Sequence, residues 1–286
     1  MKINQANLIK RAEIITEALP YFSRYAGKTV VIKYGGNAMN CPDILRTILA
    51  DTATLKVVGV HPILVHGGGP EINEQLNRLN IKSEFKNGLR VTSDDAMDVV
   101  QMALAGKVNK NIVAELGTLG VKAVGLCGKD SNLIEAEQLD KSLGKVGKII
   151  KVNAQILDAL KADFLPVIAS IGVGKNGEGY NINADIAAGA IGGALKAEKL
   201  LFLTDADGIL ANPGNPSSLI KQISVKEIEA MIKKGTIKGG MLPKVEACIS
   251  AIKAGITEVL ITNGTTPHAI LLELFTDEGI GTMITA

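Results

Sequence analysis

The sequence predicts an α/β fold in which helices flank a mainly parallel sheet. Short apolar runs alternate with helical patterns along most of the chain, as expected for repeated β-α units. Two of these runs, residues 30–32 and 63–65, are uninterrupted and rich in branched side chains, which is typical of strands buried on both faces. Each run leads into glycines, at residues 35–36 and 67–69, where the carboxyl end of a parallel strand commonly meets a ligand.

Length and composition favour a globular protein over a nucleic-acid-binding or membrane-spanning one. The 286 residues are 47% hydrophobic, which suffices for one large α/β domain or two lobes. The 31 basic and 29 acidic residues leave a net charge of +2, and no basic cluster is interleaved with aromatics, so we expect no nucleic-acid partner. The apolar segment 186–195 is too short to span a bilayer, and Lys10, Arg11 and Glu13 interrupt any signal-peptide core. We therefore expect a cytoplasmic protein without membrane contact.

The cysteines and histidines predict neither disulfides nor a structural zinc site. Cys41, Cys127 and Cys248 are odd in number and lack C-x-x-C spacing, as expected of thiols in a reducing compartment. The three histidines show no metal-ligand spacing with one another or with the cysteines.

The first third of the chain predicts an isolated helix followed by two β-α units. Leu8, Ile15 and Leu19 recur at helical spacing, and Pro20 is expected to end that helix. Pro42 and Pro70 each suit the first turn of a helix that follows a strand. The predicted elements are a strand at 29–33, a helix at 42–58, a strand at 61–65 and a helix at 70–79.

The middle of the chain predicts a hairpin, a long helix and a more irregular β region. Residues 84–92 read as a hairpin that turns at Asn87-Gly88, and Ser93 is a candidate N-cap for a helix to about residue 116. The remaining elements are a strand at 121–126, a polar β-like stretch at 129–151, a helix at 154–161 and a strand at 164–169.

A glycine-rich stretch at residues 172–179 matches the dinucleotide fingerprint only nominally. Gly172, Gly174 and Gly177 have the G-x-G-x-x-G spacing, but that fingerprint requires a helix to begin within the glycines. Here the next helix begins near Asn183 or Ala184. We interpret the stretch as a β-hairpin turn.

The last third of the chain returns to β-α alternation. The helix after Asn183 carries Gly189, Gly192 and Gly193, which are costly in a helix interior and so indicate close packing or ligand approach. Beyond it we predict a strand at 200–203 with a loop at 204–208, and a proline-rich loop at 212–218. Two helices follow, one at 224–233 and one that begins after residues 238–244 and ends near 255. The last elements are a strand at 259–262, a helix from 267 and a strand at 281–285.

Two lysines next to glycine pairs suggest phosphoryl transfer. Lys33 ends the first strand and Lys244 follows Gly239-Gly240 at a helix start. Phosphoryl transfer needs fixed positive charge around the moving group, which two lysines and a magnesium ion supply. Asp185, at a helix N-terminus, could hold the lysines in place. The alternatives are that Lys33 is a solvated lysine in an ordinary turn and that Asp185 is an acid favoured at a helix N-terminus by the helix dipole.

Other catalytic motifs are missing from the sequence. There is no G-x-x-x-x-G-K-[ST], which excludes a P-loop enzyme, and no G-x-S-x-G of a serine hydrolase. His66 is interpreted as a packed residue at a strand end, since a carboxylate nucleophile has no proton to lose to a base.

Five motifs together resemble those of a known family over the whole length of the chain. They are V-I-K-Y-G-G-N-A-M, V-H-G-G-G-P, N-G-L-R-V-T, N-I-N-A-D and G-G-M-L-P-K-V-E-A, and their order and spacing are similar to those of the N-acetylglutamate kinases of the amino-acid-kinase fold. No single motif is specific, but the set of five is. An aspartokinase would add C-terminal regulatory domains, for which only 31 residues remain after Gly255.

The resemblance implies an open αβα sandwich with a mainly parallel central sheet, preceded by an N-terminal helix. The implied organisation is an oligomerisation helix at 1–27, a lobe at 28–171 for acetylglutamate binding and dimerisation, and a lobe at 172–286 for ATP binding and arginine sensing. The implied reaction moves the γ-phosphoryl group of ATP to the side-chain carboxylate of N-acetyl-L-glutamate, the second step of arginine synthesis. Magnesium would arrive with ATP, and no protein-held metal or prosthetic group is implied.

The family pattern also implies roles for individual residues. Lys33 and Lys244 would stabilise the transition state, and Asp185 would position them. Arg90 would clamp a substrate carboxylate, although read alone it could be a surface cation. Residues implied to bind acetylglutamate are Gly68, Gly69, Arg90 and Asn181, with Asn183 behind them. Residues implied to contact the phosphoryl group or nucleotide are Gly35, Gly36, Thr204, Asp205 and Gly208, with a further N–H from Gly68.

The termini resemble those of the arginine-inhibited members of the family. Leu19-Pro20-Tyr21 and the segment 268–284 carry this likeness, which implies a hexameric ring of three dimers joined by N-terminal helices. The implied arginine site consists of Tyr21, Lys199, His268, Glu273 and Gly281. For Glu273, an ordinary exposed helix acid is the alternative.

Two other functions remain open at this stage. One is another carboxylate or carbamate kinase of the same fold, and the other is a catalytically silent amino-acid sensor. Some relatives bind a nitrogen-signalling trimer, but no residue of this sequence decides whether this chain does.

Overall fold

Helices and strands alternate along the chain, which confirms the predicted α/β fold class. The computed structural model describes residues 5–35, 41–86 and 88–286. The helices are α1 (Gln5–Tyr25), α2 (Pro42–Val57), α3 (Gly69–Arg78), α4 (Asp94–Gln101), α5 (Asn109–Thr118), α6 (Gln155–Leu160), α7 (Ala184–Ala194), α8 (Val225–Lys233), α9 (Met241–Lys253) and α10 (Ala269–Leu274). The strands are β1 (Thr29–Tyr34), β2 (His61–His66), β3 (Glu84–Lys86), β4 (Leu89–Val91), β5 (Ala123–Cys127), β6 (Ile134–Gln138), β7 (Gly147–Val152), β8 (Leu165–Ala169), β9 (Ile171–Val173), β10 (Gly179–Asn181), β11 (Lys199–Thr204), β12 (Gln222–Ser224), β13 (Glu258–Asn263) and β14 (Thr282–Thr285).

An eight-stranded sheet forms the centre of the molecule. Its order is β12-β14-β13-β11-β1-β2-β8-β5, and every neighbouring pair is parallel except β13 with β14. Strand β1 lies between β2, which follows it in the chain, and β11, which comes much later. Because the order of connection reverses at β1, a crevice opens at the carboxyl ends of these three strands.

Strand β1 contributes to both hydrophobic layers of the protein. Val31 belongs to the layer that includes Ile191 of α7 and Cys248 of α9. Val30 and Ile32 belong to the opposite layer, which includes Leu49 of α2. The side chains of a strand alternate between its faces, so a strand covered by helices on both sides must be apolar throughout. This is the αβα sandwich that the resemblance implies.

The long helix predicted after Ser93 is interrupted by a wider turn. Ser93 caps α4 by accepting a hydrogen bond from the backbone N–H of Ala96. Residues 102–108 then adopt a π-helix before α5 continues. The sequence pattern did not indicate this change. Single π-helical turns occur often beside functional sites.

A smaller sheet and a short hairpin complete the β structure. The smaller sheet has the order β10-β9-β6-β7, and β9 and β10 pair antiparallel around the glycine-rich stretch. This pairing confirms the hairpin interpretation and excludes the dinucleotide fingerprint. Strands β3 and β4 form the other predicted hairpin, of which Asn87 lies outside the described residues while Gly88 has a φ of 77°.

The expected end of the first helix at Pro20 is wrong. Helix α1 continues to Tyr25 with Pro20 inside it. Proline costs a hydrogen bond in a helix interior, about 3 kcal/mol. The residues beyond it pack against the rest of the protein, since Tyr25 is 1% exposed and the Phe22 ring meets the Phe275 ring edge-on at 4.9 Å. We attribute the continuation of α1 to this packing.

Smaller differences concern element ends. Helix α10 begins two residues later than expected because His268 adopts a left-handed conformation with φ of 59°. Strand β12 was not predicted at all. Within the described residues, no helix is both long and apolar enough to cross a membrane.

Gly128 joins the two sheets and provides a test of the fold. It donates a backbone hydrogen bond to Ile171, and an added Cβ would run into the carbonyl oxygen of Ile171 and lie 2.7 Å from the Cβ of Ile134. We expect Gly128→Ala to lower the free energy of unfolding by roughly 2 kcal/mol or more in urea titrations. Gly117→Ala is the matched control, because Gly117 lies in α5 with no atom within 4 Å of the added carbon. The free energy of unfolding of the control should rise by up to about 1 kcal/mol because alanine has the higher helix propensity. Equal stability of the two variants would contradict this account of the contact between Gly128 and Ile171.

Candidate functional site

The candidate site lies at the carboxyl ends of β1, β2 and β11. Lys33 is near the end of β1, the glycines 67–69 follow β2, and Thr204 ends β11. The N-terminal end of α7 brings Asp185 to the same edge of the sheet. Residues far apart in sequence therefore meet in the crevice that the strand order predicts.

Lys33 forms an ion pair with Asp185. Its Nζ lies 2.9 Å from Oδ1 of Asp185, and the two side chains are 12% and 25% exposed. Asn183 caps α7 by accepting hydrogen bonds from the backbone N–H groups of Asp185 and Ile186, which fixes the first turn of the helix. The alternative of a freely solvated Lys33 is therefore wrong. A lysine held by one carboxylate presents its remaining N–H bonds in a defined direction.

Lys244 forms a separate ion pair with Asp205. Its Nζ lies 2.7 Å from Oδ1 of Asp205. The hydrogen bond from Lys244 lowers the pKa of Asp205, and the positive charge of Lys33 adds a smaller effect in the same direction. Asp185 thus contacts one lysine, while Asp205 contacts the other. Among the described residues, no three histidine, cysteine, aspartate or glutamate side chains cluster as metal ligands would.

The glycines of the site leave room for neighbouring groups. A Cβ added at Gly35 would lie 3.1 Å from Nζ of Lys33, so a side chain there would press on the ammonium group. A Cβ at Gly68 would overlap Leu104 of the π-helical segment. Gly69 has no atom within 4 Å of an added carbon, so its glycine is not explained by packing. Gly36 lies outside the described residues.

Arg90 is buried beside these glycines. It is 7% exposed, so the alternative of a surface cation is wrong. Its guanidinium group donates to Oγ of Ser83 and, at 3.4 Å, to the carbonyl oxygen of Gly69, and it lies 4.7 Å from the centre of the Phe85 ring. Burial lowers the pKa of Arg90. No carboxylate of the described residues pairs with it, so a buried positive charge faces the site without a counter-charge.

A small cavity of about 190 Å³ connects Arg90 to the glycines and to Asn181. The side-chain amide of Asn181 donates to Oγ1 of Thr92 at 3.1 Å, and Thr92 in turn donates to the backbone carbonyl of Arg90 at 2.8 Å. These bonds hold the Arg90 hairpin against β10. Thr92 is fully buried and was not singled out from the sequence, where only its place two residues after Arg90 could have indicated it.

A more apolar cavity of about 370 Å³ is lined by Asp205, the carboxylate that contacts Lys244. The loop after β11 lines it through Asp205, Gly208 and Ile209, and α9 contributes Met241. Thr204 does not line this cavity but shapes the loop, since its hydroxyl accepts from the N–H of Ala206 and donates to the carbonyl of the same residue.

A larger cleft of about 790 Å³ lies between β7, α7 and α9 and contains both Asp185 and Lys244. The glycines of α7 allow this helix to pack closely against the C-terminal end of α9 and the residues that follow it. A Cβ at Gly193 would lie 2.6 Å from that of Ala254, and one at Gly192 would lie 2.6 Å from Ile256. These two glycines therefore serve helix packing, the first of the two roles expected for them.

A fourth cavity, of about 230 Å³, lies between α1 and the strands β11, β12, β13 and β14. Tyr21, Lys199, Glu273 and Gly281 line it together, as the family pattern implies. His268 does not: its Nδ1 lies 2.7 Å from Oδ1 of the buried Asp51. Four of these five predicted residues therefore share one space, and the fifth faces α2.

Glu273 is not the exposed helix acid of the alternative reading. It is 7% exposed, and its Oε1 accepts backbone hydrogen bonds from Gly281 at 2.5 Å and Ile280 at 3.3 Å. Lys199 is paired with Glu258 at 2.8 Å, and the Tyr21 hydroxyl donates to Asp277 at 2.7 Å. Glu258 and Asp277 were not predicted, because a lone acid near the C-terminus carries no distinguishing pattern.

Comparison with known proteins gives consistent matches along the chain. The profile of the amino acid kinase family matches residues 28–263. A curated acetylglutamate kinase from Heliobacterium modesticaldum is 49% identical over 290 residues, covering 96% of this chain and 98% of its own length. Another, from Caldicellulosiruptor saccharolyticus, is 51% identical over 287 residues, covering 97% of both chains.

Among solved structures, N-acetylglutamate synthase from Neisseria gonorrhoeae, in complex with coenzyme A and N-acetyl-glutamate, matches with a TM-score of 0.84 at 26% identity. The match covers 96% of this chain. It covers 63% of the synthase chain, so the synthase extends beyond the shared region.

Proposed function

The chain belongs to the amino acid kinase family, and within it to the acetylglutamate kinases, and on that basis we propose how its site works. It is a kinase of amino-acid biosynthesis that uses ATP. The proposed reaction transfers the γ-phosphoryl group to the side-chain carboxylate of N-acetyl-L-glutamate, giving N-acetyl-L-glutamyl 5-phosphate. The observation that carries the proposal is the pair of lysine–carboxylate contacts, Lys33 with Asp185 and Lys244 with Asp205, set between a cationic cavity and an apolar one.

The two cavities suit the two substrates. Arg90 is buried without a carboxylate partner among the described residues, so a substrate carboxylate would supply the missing counter-charge and could accept two parallel hydrogen bonds. The amides of Gly68 and Gly69 line the same space. The apolar cavity around Gly208 and Met241 suits a flat base better than a charged acid. We propose that acetylglutamate binds in the first cavity and the nucleotide in the second.

The lysines lie where negative charge would build up during transfer. Lys33 lies near the end of β1, beside the end of β2 that leads into the glycines 67–69, which we call the glycine cradle. Lys244 contacts Asp205 in the loop after β11, where we propose the nucleotide binds. A phosphoryl group passing between the two cavities would therefore move between two fixed cations, which is the main requirement of this chemistry. Asp185 and Asp205 keep the ammonium groups in place before substrates arrive.

Magnesium is proposed to enter with ATP rather than to be held by the protein. Asp185 and Asp205 each contact a lysine, and Asp207 accepts a hydrogen bond from Asn263. No three histidine, cysteine or acidic side chains cluster as metal ligands among the described residues. When bound with ATP, magnesium would supply positive charge that offsets the negative charge of the phosphate groups.

The direct test of the proposal is an ADP-release assay with a panel of acceptors. The purified protein is given magnesium and ATP with N-acetyl-L-glutamate, glutamate, aspartate, carbamate or UMP. Turnover only with N-acetyl-L-glutamate supports the proposal. Turnover confined to another acceptor would assign a different kinase of the same fold, and turnover with none would favour a silent sensor.

Removing either lysine should abolish most of the activity. We expect Lys33→Ala and Lys244→Ala each to lower kcat at least a hundredfold, because one preorganised charge in such a site contributes about 3 to 4 kcal/mol. Steady-state assays on folded protein measure the effect. Lys253→Ala serves as the control, since Lys253 lies on the same helix as Lys244 but pairs with the exposed Glu229. A kcat within tenfold of wild type for either site variant would remove that lysine from the mechanism.

Arg90 should act on one substrate only. We expect Arg90→Ala to raise the KM for acetylglutamate at least tenfold and to leave the KM for ATP within about twofold of wild type. The effect should be on KM because a carboxylate clamp stabilises the ground state and the transition state equally. Arg78→Ala is the control, since Arg78 is an exposed cation at the end of α3. An increase in the KM for ATP instead would place Arg90 against the nucleotide.

The cavity beside α1 is proposed to bind L-arginine as a feedback inhibitor. Glu258, Glu273 and Asp277 line it with carboxylates suited to guanidinium and amino groups, and Lys199 and Lys221 could meet the carboxylate of the ligand. Inhibition requires that arginine favour one arrangement of the protein over another. Because Tyr21 of α1 forms part of the wall, a shift of α1 would be coupled to arginine binding.

Helix α1 is also proposed to join subunits into a hexamer of three dimers. Leu8, Ile9, Ile15 and Leu19 are between 49% and 63% exposed in the single chain. An isolated amphipathic segment of this kind gains stability by packing its apolar face on a partner, most simply the same helix of another subunit.

Deleting residues 1–19 should separate the assembly role of α1 from its role in the arginine cavity. The truncated chain begins at Pro20, a favourable first residue for the remaining helix, and keeps Tyr21 and Tyr25. We expect an active dimer by light scattering, in which arginine no longer raises the KM for acetylglutamate. Glu273→Gln is the companion variant, and it should remain hexameric while requiring at least ten times more arginine for inhibition.

The two variants can each contradict the account. A truncated protein that stays hexameric and fully arginine-sensitive would exclude the assembly role of α1. Unchanged arginine inhibition in Glu273→Gln would exclude the cavity as the arginine site.

A further inference from the structure

A buried polar pair lies directly beneath the glycine cradle and takes no part in the mechanism described so far. His66 is completely buried at the end of β2, and Asn109 is 1% exposed at the start of α5. The Nε2 atom of His66 lies 3.1 Å from Nδ2 of Asn109, and the Nδ1 atom lies 2.8 Å from the carbonyl oxygen of Gly67. Buried polar groups are costly unless every bond is satisfied, so the bonding pattern is informative.

The neighbours of Asn109 fix the orientation of its amide. Nδ2 lies 2.9 Å from the carbonyl oxygen of Val167 and 3.4 Å from that of Leu126, and both oxygens can only accept. On the opposite side, Oδ1 accepts a hydrogen bond from Nζ of Lys110 at 3.1 Å. The flipped amide would place its oxygen against two carbonyl oxygens. The NH₂ group of Asn109 must therefore face His66.

The orientation of Asn109 in turn fixes the tautomer of His66. Since Asn109 donates to Nε2, that atom carries no proton, and the single ring proton is on Nδ1. Nδ1–H then donates to the carbonyl oxygen of Gly67. Burial lowers the pKa of His66 to about 4, so the ring stays neutral at physiological pH. A second proton on Nε2 would face the Asn109 NH₂ group, donor against donor.

The bond from His66 determines which way the next amide points. A trans peptide is planar, and its C=O and N–H groups point in opposite directions. All peptide bonds of the described residues are trans. With the Gly67 carbonyl turned toward the buried imidazole, the N–H of Gly68 is turned toward the cavity that Gly67, Gly68 and Gly69 line with Arg90. No backbone acceptor among the described residues takes up that N–H.

The π-helical segment brings the supporting residues to one side. Leu104 packs where a Gly68 side chain would be, and Asn109 contacts His66 five residues later. In an α-helix, residues five apart point about 140° away from each other. The i→i+5 bonding of a π-turn places the fifth residue nearly above the first, so both can face the glycine cradle.

We propose that His66 and Asn109 are positioning residues that lock the Gly67–Gly68 peptide with its N–H aimed at the transferred phosphoryl group. This inference rests on the proposed phosphoryl transfer. Neither residue touches the substrate. Both act through the direction of one amide, which is useful only if it is set before negative charge develops.

Two substitutions at His66 separate its two hydrogen bonds. The side-chain amide of Asn places a donor near the position of Nδ1, so His66→Asn keeps the bond to Gly67 and loses the one to Asn109. The longer His66→Gln keeps an acceptor near the position of Nε2 and loses the bond to Gly67. Asn also fills less of the buried space than Gln, so stability and activity should rank in opposite orders.

We expect His66→Gln to lower kcat by 10- to 100-fold with the KM for ATP within about twofold, and His66→Asn to lower kcat by less than threefold while melting at the lower temperature. His61→Asn is the control at the far end of the same strand and should leave kcat unchanged. A kcat for His66→Gln within twofold of wild type, or equal losses in the two His66 variants, would overturn the inference. The inference would also be overturned if the activities of the two His66 variants changed only in proportion to the fraction of folded protein.

Two measurements do not depend on turnover. Nitrogen NMR of the histidine rings in the wild-type chain should show His66 protonated on Nδ1 alone from pH 8 to pH 5. Protonation on Nε2 would overturn the inference. Crystal structures should show the Gly67 carbonyl rotated in His66→Gln and retained in His66→Asn, and an unrotated carbonyl in His66→Gln would likewise overturn it. If the wild-type chain does not phosphorylate acetylglutamate, the proposed function is wrong. The direction of the Gly67 carbonyl in the two crystal structures would still show whether His66 orients the Gly67–Gly68 peptide.

Discussion

The whole arrangement depends on burying β1 on both faces at the point where the strand order reverses. Its two layers of side chains anchor α2 on one side and α7 with α9 on the other. Because β1 cannot move without opening both layers, Lys33 near its end is held by the core of the protein. The neighbouring strands β2 and β11 are aligned with β1 by parallel pairing, so the glycines after one and the loop after the other reach the same crevice. Placement of the site therefore follows from packing of the sheet.

Electrostatic balance explains why this crevice can hold two lysines before any substrate is present. Lys33 and Lys244 each contact one carboxylate, so neither of these two cations is left unpaired in the crevice. Arg90 differs, because its buried guanidinium has only neutral partners among the described residues. The positive charges of the two lysines are therefore balanced by carboxylates, whereas the positive charge of Arg90 is not balanced by any carboxylate of the described residues. The crevice therefore contains two different electrostatic environments, one at the paired lysines and one at Arg90.

The sequence was sufficient for the fold class, most element positions and the association of distant motifs. Patterns of apolar residues indicate burial, and Lys33 and the glycines 67–69 could be placed at the carboxyl ends of strands. The roles of Gly68 and Asp185 came from the resemblance of the five motifs to a known family. Contacts between unrelated segments were harder to foresee. The pairing of Lys244 with Asp205, the burial of Arg90 and Glu273, and the separation of His268 from the α1 cavity depend on packing that has no local signature. The continuation of α1 through Pro20 and the π-turn after α4 similarly reflect tertiary contacts that outweigh local propensity.

The π-helical segment also bears on how this chain can change over evolution. Substitutions on the exposed side of residues 102–108 alter only the surface, but adding or removing a single residue there would rotate everything between Ser93 and Asn109 relative to the glycine cradle. Such a change would move Leu104 and Asn109 off the same face at once. The spacing of this segment is therefore constrained more tightly than its composition. Insertions and deletions in descendants of this chain should accumulate elsewhere, in surface loops such as residues 211–218.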